Sequence, residues 1–396
     1  MISQKIGLVM TGGGARAAYQ AGAVRAISDI LGKDEPNPFQ VITGSSAGAI
    51  NGAFLASRGH NFAEATQILW DIWSELRLED IFRTDTFSFV RQGAQWWRDL
   101  SIGGLLGSSR VTYLLDAAPL RRFLSDKIDF ANLKEEIRIG RLRGVAVSAT
   151  NYRTGSTVTF YDGVPEIEPW QRTSRIGLRT ELRLSHILAS ASIPVFFEPV
   201  PLEDTFYGDG CMRLGTPLSP AIHLGAERVI AVGVRYFRPE QTVLEMNRKL
   251  KMKFITLADI AGVILNSVFL DSLDADLERM ERINQTLSLL SEEAIRRHPQ
   301  KLRSIPVLAL RPSEDLGILA SRQMKSFPWI FRHLMRGIGA SHNQGLDLMS
   351  YLAFDRTYTR QLLDLGYADT WAIRDEVREF FTAPARDLAV PLVSTA

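Results

Sequence analysis

Short apolar runs alternate with helix-like segments through the first two thirds of the chain. The apolar runs predict strands at 6–10, 39–43, 145–149, 156–161, 205–207 and 229–234. The segments between them predict helices that include 17–31, 47–58 and 184–190. Strands interleaved with helices in this way predict an α/β fold with a mainly parallel central sheet.

The last third of the chain has a different pattern. Apolar residues three and four positions apart recur on a charged background from 257 to 297 and predict helices. One further strand-like run, 305–310, comes late and predicts a return to the sheet. We therefore expect a core at 1–240, a mostly helical elaboration at 241–383 within the same domain, and a loosely held tail at 384–396.

Composition and charge narrow the class of protein. The 396 residues carry a formal charge of +2, with 23% charged and 45% hydrophobic residues, which is typical of a globular chain and excludes a disordered protein and a dedicated nucleic-acid binder. The single cysteine, Cys211, excludes an intrachain disulfide and a multi-thiolate metal site, and the six histidines form no spaced ligand cluster, so no metal site is predicted.

Apolar segments are too short for a leader or a membrane span. The run 6–10 is shorter than a secretory core, and the richest later stretch, 254–270, is interrupted by Asp259 and Asn266. We expect a cytoplasmic protein.

A glycine-rich loop follows the first predicted strand, with the sequence Gly12-Gly13-Gly14-Ala15-Arg16-Ala17. Consecutive glycines let backbone amides converge on one point, and the following helix adds positive potential, so the loop suits a phosphate or the oxyanion of acyl transfer. A tight strand–helix turn and a dinucleotide fingerprint are alternatives. Asp34 and Glu35 lie at the distance of the fingerprint's acidic residue, but in a loop before the second strand, which weakens the nucleotide hypothesis.

A second loop, Gly44-Ser45-Ser46-Ala47-Gly48, matches the G-x-S-x-G pattern of a nucleophile elbow. It lies between the predicted strand 39–43 and a helix of small residues, the setting in which a strained turn projects a serine hydroxyl. Ser46 is the central residue and the candidate nucleophile. The alternative is a serine that only caps the helix.

A nucleophilic serine needs a base, and the best candidate is Asp209 in Gly208-Asp209-Gly210 after a short strand. Burial beside the hydroxyl would raise the pKa of this carboxyl toward the operating range. Taken alone, Asp-Gly indicates a turn. Four late histidines are weaker candidates because none lies in a loop tied to a strand end: His223, His298, His333 and His342.

These three loops, in this order, resemble the patatin-like phospholipase family. The segment 189–199 also resembles one that the family carries between its serine and its aspartate, and the similarity covers roughly residues 5–235. The resemblance implies a three-layer α/β/α sandwich and hydrolysis of lipid acyl esters without a metal or organic cofactor. It implies a Ser46–Asp209 dyad without histidine and an oxyanion hole from Gly12, Gly13 and Gly14. The supporting motif residues would be Ala15, Arg16, Gly44, Gly48 and Gly210.

Three positions depart from the family pattern: Ala17 replaces a glycine, Cys211 replaces a small residue after Asp-Gly, and Gly215 replaces an asparagine. Ala17 adds only a methyl group. Cys211 puts a thiol beside the proposed base and raises a question about the geometry of that loop.

Two stretches suit contact with lipid. The first, 69–106, is aromatic and fits a lipid–water boundary, although packing in a core is an equal alternative; its members are Trp70, Trp73, Phe82, Phe87, Phe89, Trp96 and Trp97. The second is the basic run of Arg248, Lys249, Lys251 and Lys253, which suits anionic head groups, although a solvated helix face is the commoner case. Peripheral contact with the inner membrane surface is therefore a further expectation.

The leading hypothesis is a serine hydrolase of the phospholipase, lysophospholipase or esterase type that acts on a lipid acyl ester. The alternatives are a nucleotide-binding protein that uses the glycine loop and a non-catalytic scaffold that binds lipid or a partner. The sequence identifies no protein partner and gives no indication of nucleic-acid binding.

Overall fold

The strands of the chain join one mixed sheet. The computed structural model describes residues 5–32, 36–83, 113–238, 241, 244, 255–269, 271–297, 302–323, 332–333, 336–337, 339, 345–384 and 392–393. Within these ranges the sheet has 11 strands. They are β1 (Ile6–Met10), β2 (Val41–Ser45), β3 (Gly144–Asn151), β4 (Thr157–Gly163), β5 (Trp170–Arg172), β6 (Arg175–Arg179), β7 (Val200–Leu202), β8 (Thr205–Asp209), β9 (Arg228–Val232), β10 (Val307–Leu310) and β11 (Leu392–Val393).

One half of the sheet is parallel. Its strands run in the order β11, β10, β9, β1, β2 and β3, and each neighbouring pair is parallel. Met10 is in register with Gly44 and with Val232, so the carboxyl ends of β1, β2 and β9 meet at one edge. That edge is where open α/β sheets place their functional loops.

The other half changes direction at β3. Both β4 and β8 pair with β3 in the antiparallel direction, and β7 pairs with β8 in the same way. β6 extends the sheet parallel to β4, and β5 closes it antiparallel to β6. The antiparallel β8 brings the residue at its end, Asp209, opposite Ala149 of β3 and toward the edge that carries the loop after β2.

Helices cover both faces of the sheet. In chain order they are α1 (Ala18–Leu31), α2 (Ala47–Ala56), α3 (Phe62–Glu75), α4 (Leu78–Ile81), α5 (Ala118–Lys127), α6 (Phe130–Arg138), α7 (Leu184–Ser190), α8 (Ser219–His223), α9 (Leu257–Phe269), α10 (Asp271–Ser288), α11 (Glu292–Arg297), α12 (Leu316–Arg322), α13 (Leu346–Leu352), α14 (Arg356–Ala372) and α15 (Arg374–Thr382). Short 3-10 turns occupy Gly14–Ala17 and Gly210–Met212.

The central strands divide their side chains between two hydrophobic cores. Leu8 and Met10 of β1 belong to the larger core, which contains residues of α1, α2, α3 and α14, whereas Val9 belongs to the second. The second core is closed by α8 and α10, through residues such as Ala221 and Leu277. Because successive side chains of a strand point to opposite faces, this division gives three layers: helices, sheet and helices. The α/β/α sandwich is confirmed.

The late part of the chain returns to the sheet. The strand predicted at 305–310 is observed as β10, whose Val307 pairs with Val229 of β9. Within the predicted tail, Leu392 and Val393 pair with β10. The helical stretch 257–297 contains α9, α10 and α11. Among the helices that the structure describes, none combines the length and the apolar character that crossing a membrane requires.

Candidate active site

Ser46 occupies a strained turn between β2 and α2. Its backbone angles are φ 53° and ψ −130°, a region that a residue with a side chain adopts at a cost of about 1–3 kcal/mol. The turn ends a fully buried strand and begins a helix, as the G-x-S-x-G pattern predicts. It puts the serine at the amino end of α2, where negative charge is favoured. The side chain of Ser46 makes no capping hydrogen bond to the helix.

Small residues make the sharp turn sterically feasible. A Cβ atom on Gly48 would overlap the carbonyls of Met10 and Thr11 at the end of β1, and one on Gly44 would overlap the backbone of Gly48. The two glycines therefore let α2 begin directly against the ends of β1 and β2. Ala47, between Ser46 and Gly48, is also buried.

Asp209 is fully buried at the end of β8. Its amide donates to the Ser192 carbonyl at 2.9 Å, and its carbonyl accepts from Thr150 Oγ1 at 2.8 Å. The carboxyl oxygen Oδ1 accepts from the Cys211 amide at 2.9 Å. The second oxygen, Oδ2, has no hydrogen-bond partner within the described part of the chain. The backbone is thus held on both sides, while one carboxyl oxygen remains available.

The environment of Asp209 raises the pKa of its carboxyl to about 7. Burial is the main cause, because it penalises the charged form. Interactions with the Ser46 side chain and with the Cys211 amide lower the pKa in part. A carboxyl with this pKa can accept a proton near neutral pH.

Cys211 fits the loop after Asp209 without displacing the carboxyl. Its thiol donates to Ser45 Oγ at 3.2 Å and is buried, and burial raises the pKa of this thiol well above its usual value. Gly210 packs directly against the Ser148 carbonyl, where a Cβ atom would overlap. The thiol is therefore a neutral packing group, and its hydrogen bond links the loop after Asp209 to Ser45.

The glycine loop lies beside the elbow. A Cβ atom on Gly12 would come within 2.8 Å of Ser46 Cβ and would also overlap the Cys211 sulfur. Gly14 has φ +57°, the left-handed conformation that favours glycine, and its Cα faces the Tyr351 carbonyl. The Gly13 amide donates to no backbone carbonyl in the ranges described. The loop thus exposes backbone at the serine instead of side chains.

Arg16 is turned away from the elbow and toward α13. Its guanidinium lies 2.8 Å from Asp347 Oδ1, donates to Ser350 Oγ at 2.7 Å and stacks over the Tyr351 ring at 4.2 Å. Arg16 and the preceding Ala15 are both buried. The basic residue of the loop therefore fixes the loop to the helical region that follows β10.

A buried polar chain, which the sequence did not indicate, supports both loops. Gln20 of α1 donates to the Thr11 carbonyl at 2.7 Å and accepts from Asn51 Nδ2 at 3.1 Å. Asn51 in turn accepts from the Trp73 indole at 2.8 Å. The chain links α1, α2 and α3 to the residue that precedes the glycines. Single polar residues in apolar helices carry no motif that would reveal this role.

An apolar cavity begins at Ser46. Its volume is about 680 Å³ when the part open to solvent is included. Apart from the Trp73 indole, its polar lining groups come from Ser46, Asn51 and Lys127. The other lining residues are Gly14, Ala47, Ile50, Phe54, Leu69, Ile72, Leu76, Ile81, Leu120, Phe123, Leu124, Ile128, Ala191, Ile193, Phe197 and Phe354. An acyl chain matches such a wall better than a nucleotide does.

Two of the histidines that the structure describes pack against aromatic rings. The ring of His223 stacks on Trp170 at 4.5 Å, and the ring of His186 lies against Phe160 at 4.7 Å. Burial lowers the pKa of each imidazole to about 4. His298 and His342 lie outside the described residues.

The structure describes only some of the residues in the other predicted features. Of the aromatic residues in 69–106, Trp73 and Phe82 are buried and Trp70 is partly buried against the core, which supports the core-packing alternative for these three. Phe87, Phe89, Trp96 and Trp97 lie outside the described residues, as do Asp34, Glu35 and the basic run of Arg248, Lys249, Lys251 and Lys253. In the ranges described, no group of three or more histidine, cysteine, aspartate or glutamate side chains could hold a metal ion.

Comparison with known proteins gives one family. The family model described as "Patatin-like phospholipase" matches residues 8–222, which contain the glycine loop, the elbow and Asp209. A search of curated proteins finds no match.

Among solved structures the similarity is distant. VipD from Legionella pneumophila is 13% identical, with a TM-score of 0.33 over 91% of this chain and 67% of VipD. Human GIVD cytosolic phospholipase A2, solved with methyl gamma-linolenyl fluorophosphonate, is 13% identical, with a TM-score of 0.39 over 96% of this chain and 60% of that enzyme. ExoU, solved with SpcU from Pseudomonas aeruginosa, is 15% identical, with a TM-score of 0.27 over 88% of this chain and 74% of that chain.

Proposed function

The chain belongs to the patatin-like phospholipase family, and we propose that it is a serine acyl hydrolase that cleaves acyl esters of lipids through a Ser46–Asp209 dyad. Membership of this family supports a lipid hydrolase in general. The specific dyad and the oxyanion hole are our proposal.

One observation carries the proposal. Ser46 sits on a strained turn, and its side chain interacts with the fully buried Asp209 carboxyl, whose pKa is raised to about 7. Among the described residues, Oδ2 of this carboxyl has no hydrogen-bond partner. An unpartnered buried oxygen costs free energy, so its presence next to a candidate nucleophile supports a role as proton acceptor. The Asp-Gly turn alone would need neither burial nor an unpaired oxygen.

The proposed reaction has two steps. Ser46 Oγ attacks the acyl carbonyl and gives its proton to Asp209 Oδ2; the carboxyl then returns this proton to the departing alcohol as the ester bond breaks, which leaves an acyl-serine. A water molecule next gives a proton to Asp209 and attacks the acyl carbon. Collapse of the second tetrahedral intermediate returns the proton to Ser46 and releases the fatty acid.

Backbone amides of Gly12, Gly13 and Gly14 would stabilise the tetrahedral oxyanion in both steps. The absence of side chains in this loop and its closeness to Ser46 Cβ support this role. The acyl chain would occupy the apolar cavity that begins at Ser46, which favours lipid esters over polar ones.

All residues assigned to the chemistry lie within 1–240, which we propose as the catalytic core. The proposed elaboration 241–383 would support it through contacts such as Arg16 with Asp347. The late strand β10 would keep both parts in one domain.

Three substitutions test the dyad on a soluble p-nitrophenyl ester and on a phospholipid. Ser46→Ala and Asp209→Asn should each lower kcat/KM at least about a thousandfold while circular dichroism stays unchanged. Ser45→Ala removes the neighbouring buried hydroxyl and should retain most of the activity. Activity close to that of the wild type in either dyad variant would refute the mechanism.

A further inference from the structure

The apolar cavity at Ser46 runs between α2 and α5. The α2 residues that line it are three or four positions apart, which places them on one face of that helix: Ala47, Ile50, Asn51 and Phe54. The α5 residues that line it have the same spacing: Leu120, Phe123, Leu124 and Lys127. The cavity therefore follows one side of α2, beginning with Ser46 at the amino end of this helix.

Lys127 lies beside the carboxyl ends of both helices. It is the last residue of α5, and its carbonyl accepts from Arg58 Nη1 at 2.8 Å. The Arg58 guanidinium also lies over the Phe54 ring, 4.1 Å from its centre. At about 1.5 Å per residue, Phe54 is about 12 Å from Ser46 along the axis of α2. Lys127 therefore lines the cavity at a distance from the candidate nucleophile, near the other end of α2.

Two polar side chains in the described cavity wall have groups that can contact a substrate. The amide of Asn51 is satisfied, because it donates to Gln20 Oε1 at 3.1 Å and accepts from the Trp73 indole at 2.8 Å. The same contact satisfies the indole N–H. The two others are the Ser46 hydroxyl and the Lys127 ammonium, and the remaining lining side chains are apolar.

The ammonium of Lys127 lies beside the cavity wall without an anionic partner. Its Nζ is 5.7 Å from the centre of the Phe123 ring, another lining residue one turn earlier on α5. Among the described residues, no carboxylate forms an ion pair with this ammonium. Lys127 is half-buried, so its charge is only partly solvated. An anion carried by a ligand would supply the missing partner, and a single charged group in an apolar pocket is well suited to fix one end of a ligand.

We propose that Lys127 binds the far end of the acyl chain and that the enzyme prefers acyl esters whose chain ends in a carboxylate. This inference deepens the proposed function and rests on it for the reaction. The ester carbonyl would lie at Ser46, and the terminal carboxylate would accept a charge-assisted hydrogen bond from the Lys127 ammonium. An extended chain advances roughly 1.2 Å per bond, so about ten carbons span the distance along α2. The methylene groups between the two ends would contact the apolar wall.

Two soluble esters of equal chain length test this preference: the mono-p-nitrophenyl ester of decanedioic acid and p-nitrophenyl decanoate. The wild type should have the higher kcat/KM for the decanedioic ester. Lys127→Met should lower the ratio of the two kcat/KM values about tenfold, because the terminal carboxylate loses its charged partner, and the loss should lie in KM for the decanedioic ester. Lys127→Gln, polar but uncharged, should show the same loss, whereas Lys127→Arg should keep most of the preference.

Arg122→Met is the matched control, because Arg122 is an exposed cation of α5 that does not line the cavity. It removes the same charge from the same helix and should leave the ratio unchanged. An equal fall of the ratio in the Arg122 variant would assign the effect to net charge and overturn the inference. A wild type without the preference, or a ratio that neither Lys127→Met nor Lys127→Gln lowers, would assign Lys127 to the helix end alone and also overturn it. A wild type that hydrolyses neither ester would refute the proposed function, and the inference with it.

Discussion

The hydroxyl of Ser190 accepts a hydrogen bond from the Ser46 amide at 3.0 Å and donates one to the Ser148 carbonyl at 2.6 Å. The Ser46 amide therefore already donates a hydrogen bond and is not available to an oxyanion. An oxyanion at Ser46 needs other donors, which favours the glycine loop. The contact also ties α7 and β3 to the elbow and gives a physical reason for the family-like segment that begins at 189.

Replacing Ser190 by alanine should weaken both stability and activity. Ser190→Ala leaves the Ser46 amide and the Ser148 carbonyl without this partner in a buried site, which should cost about 2 kcal/mol of unfolding free energy. Turnover should also fall, because the strained turn at Ser46 loses its hydrogen bond to Ser190. Chemical denaturation and ester hydrolysis measure the two effects.

Ser192→Ala is the matched control, since this serine is also buried and hydrogen-bonded. Its acceptor, the Leu188 carbonyl, keeps a bond from the Ala191 amide. The substitution should cost less than about 1 kcal/mol and leave turnover unchanged. Equal effects of the two substitutions would contradict a specific role for Ser190.

The pH dependence of hydrolysis should follow Asp209. The proposed base works only as the anion, and burial raises the pKa of this carboxyl to about 7. We expect kcat/KM for a soluble ester to rise with pH to a plateau, with a midpoint near 7. A profile that is flat across neutrality, or one with a midpoint near the ordinary carboxyl pKa of about 4, would rule out this base.

Asp209→Asn should stabilise the fold at alkaline pH although it removes activity. The folded-state pKa of Asp209 is about 7, above the ordinary value of 3.8, so its favourable contribution is complete below the unfolded pKa and is lost as pH rises through 7. The buried anion then costs on the order of 4 kcal/mol, which asparagine avoids. Denaturant unfolding should show the gain at about pH 8 and little difference near pH 4. The same difference at both pH values would contradict the assigned ionisation.

The apolar cavity should determine acyl-chain length. Leu124 of α5 lines it and is buried, so Leu124→Trp should fill part of the space. We expect the ratio of kcat/KM for palmitoyl over butyryl esters to fall about tenfold. The control is Leu133→Trp, which replaces a buried leucine of α6 that does not line the cavity. It should leave the ratio unchanged. A similar change of the ratio in both variants would remove the cavity from chain selection.

Apart from β11, the parallel strands could be predicted because they are short, buried apolar runs. β11 (Leu392–Val393) lies in the segment predicted as a loosely held tail. Strands β5 and β6 could not be predicted, since Trp170–Arg172 and Arg175–Arg179 carry exposed polar residues and form strands only by extending β4. β2 begins at Val41 and not at the predicted 39, because the Phe39 amide donates to Asn37 Oδ1 in the loop before the strand.

The candidate dyad could be located because glycine and small residues mark the two turns. The partners of Arg16 could not be predicted, because Asp347 lies 331 positions away and only the fold of the late helices brings it near. For the same reason the sequence did not indicate that Ser190 or the Gln20–Asn51–Trp73 chain supports the site.

Labelling with a fluorophosphonate followed by peptide mapping tests the central claim most directly. We expect a single modified residue, Ser46, with labelling lost in Ser46→Ala and strongly slowed in Asp209→Asn. A label on another serine, or equally fast labelling when Asp209 is replaced, would contradict it.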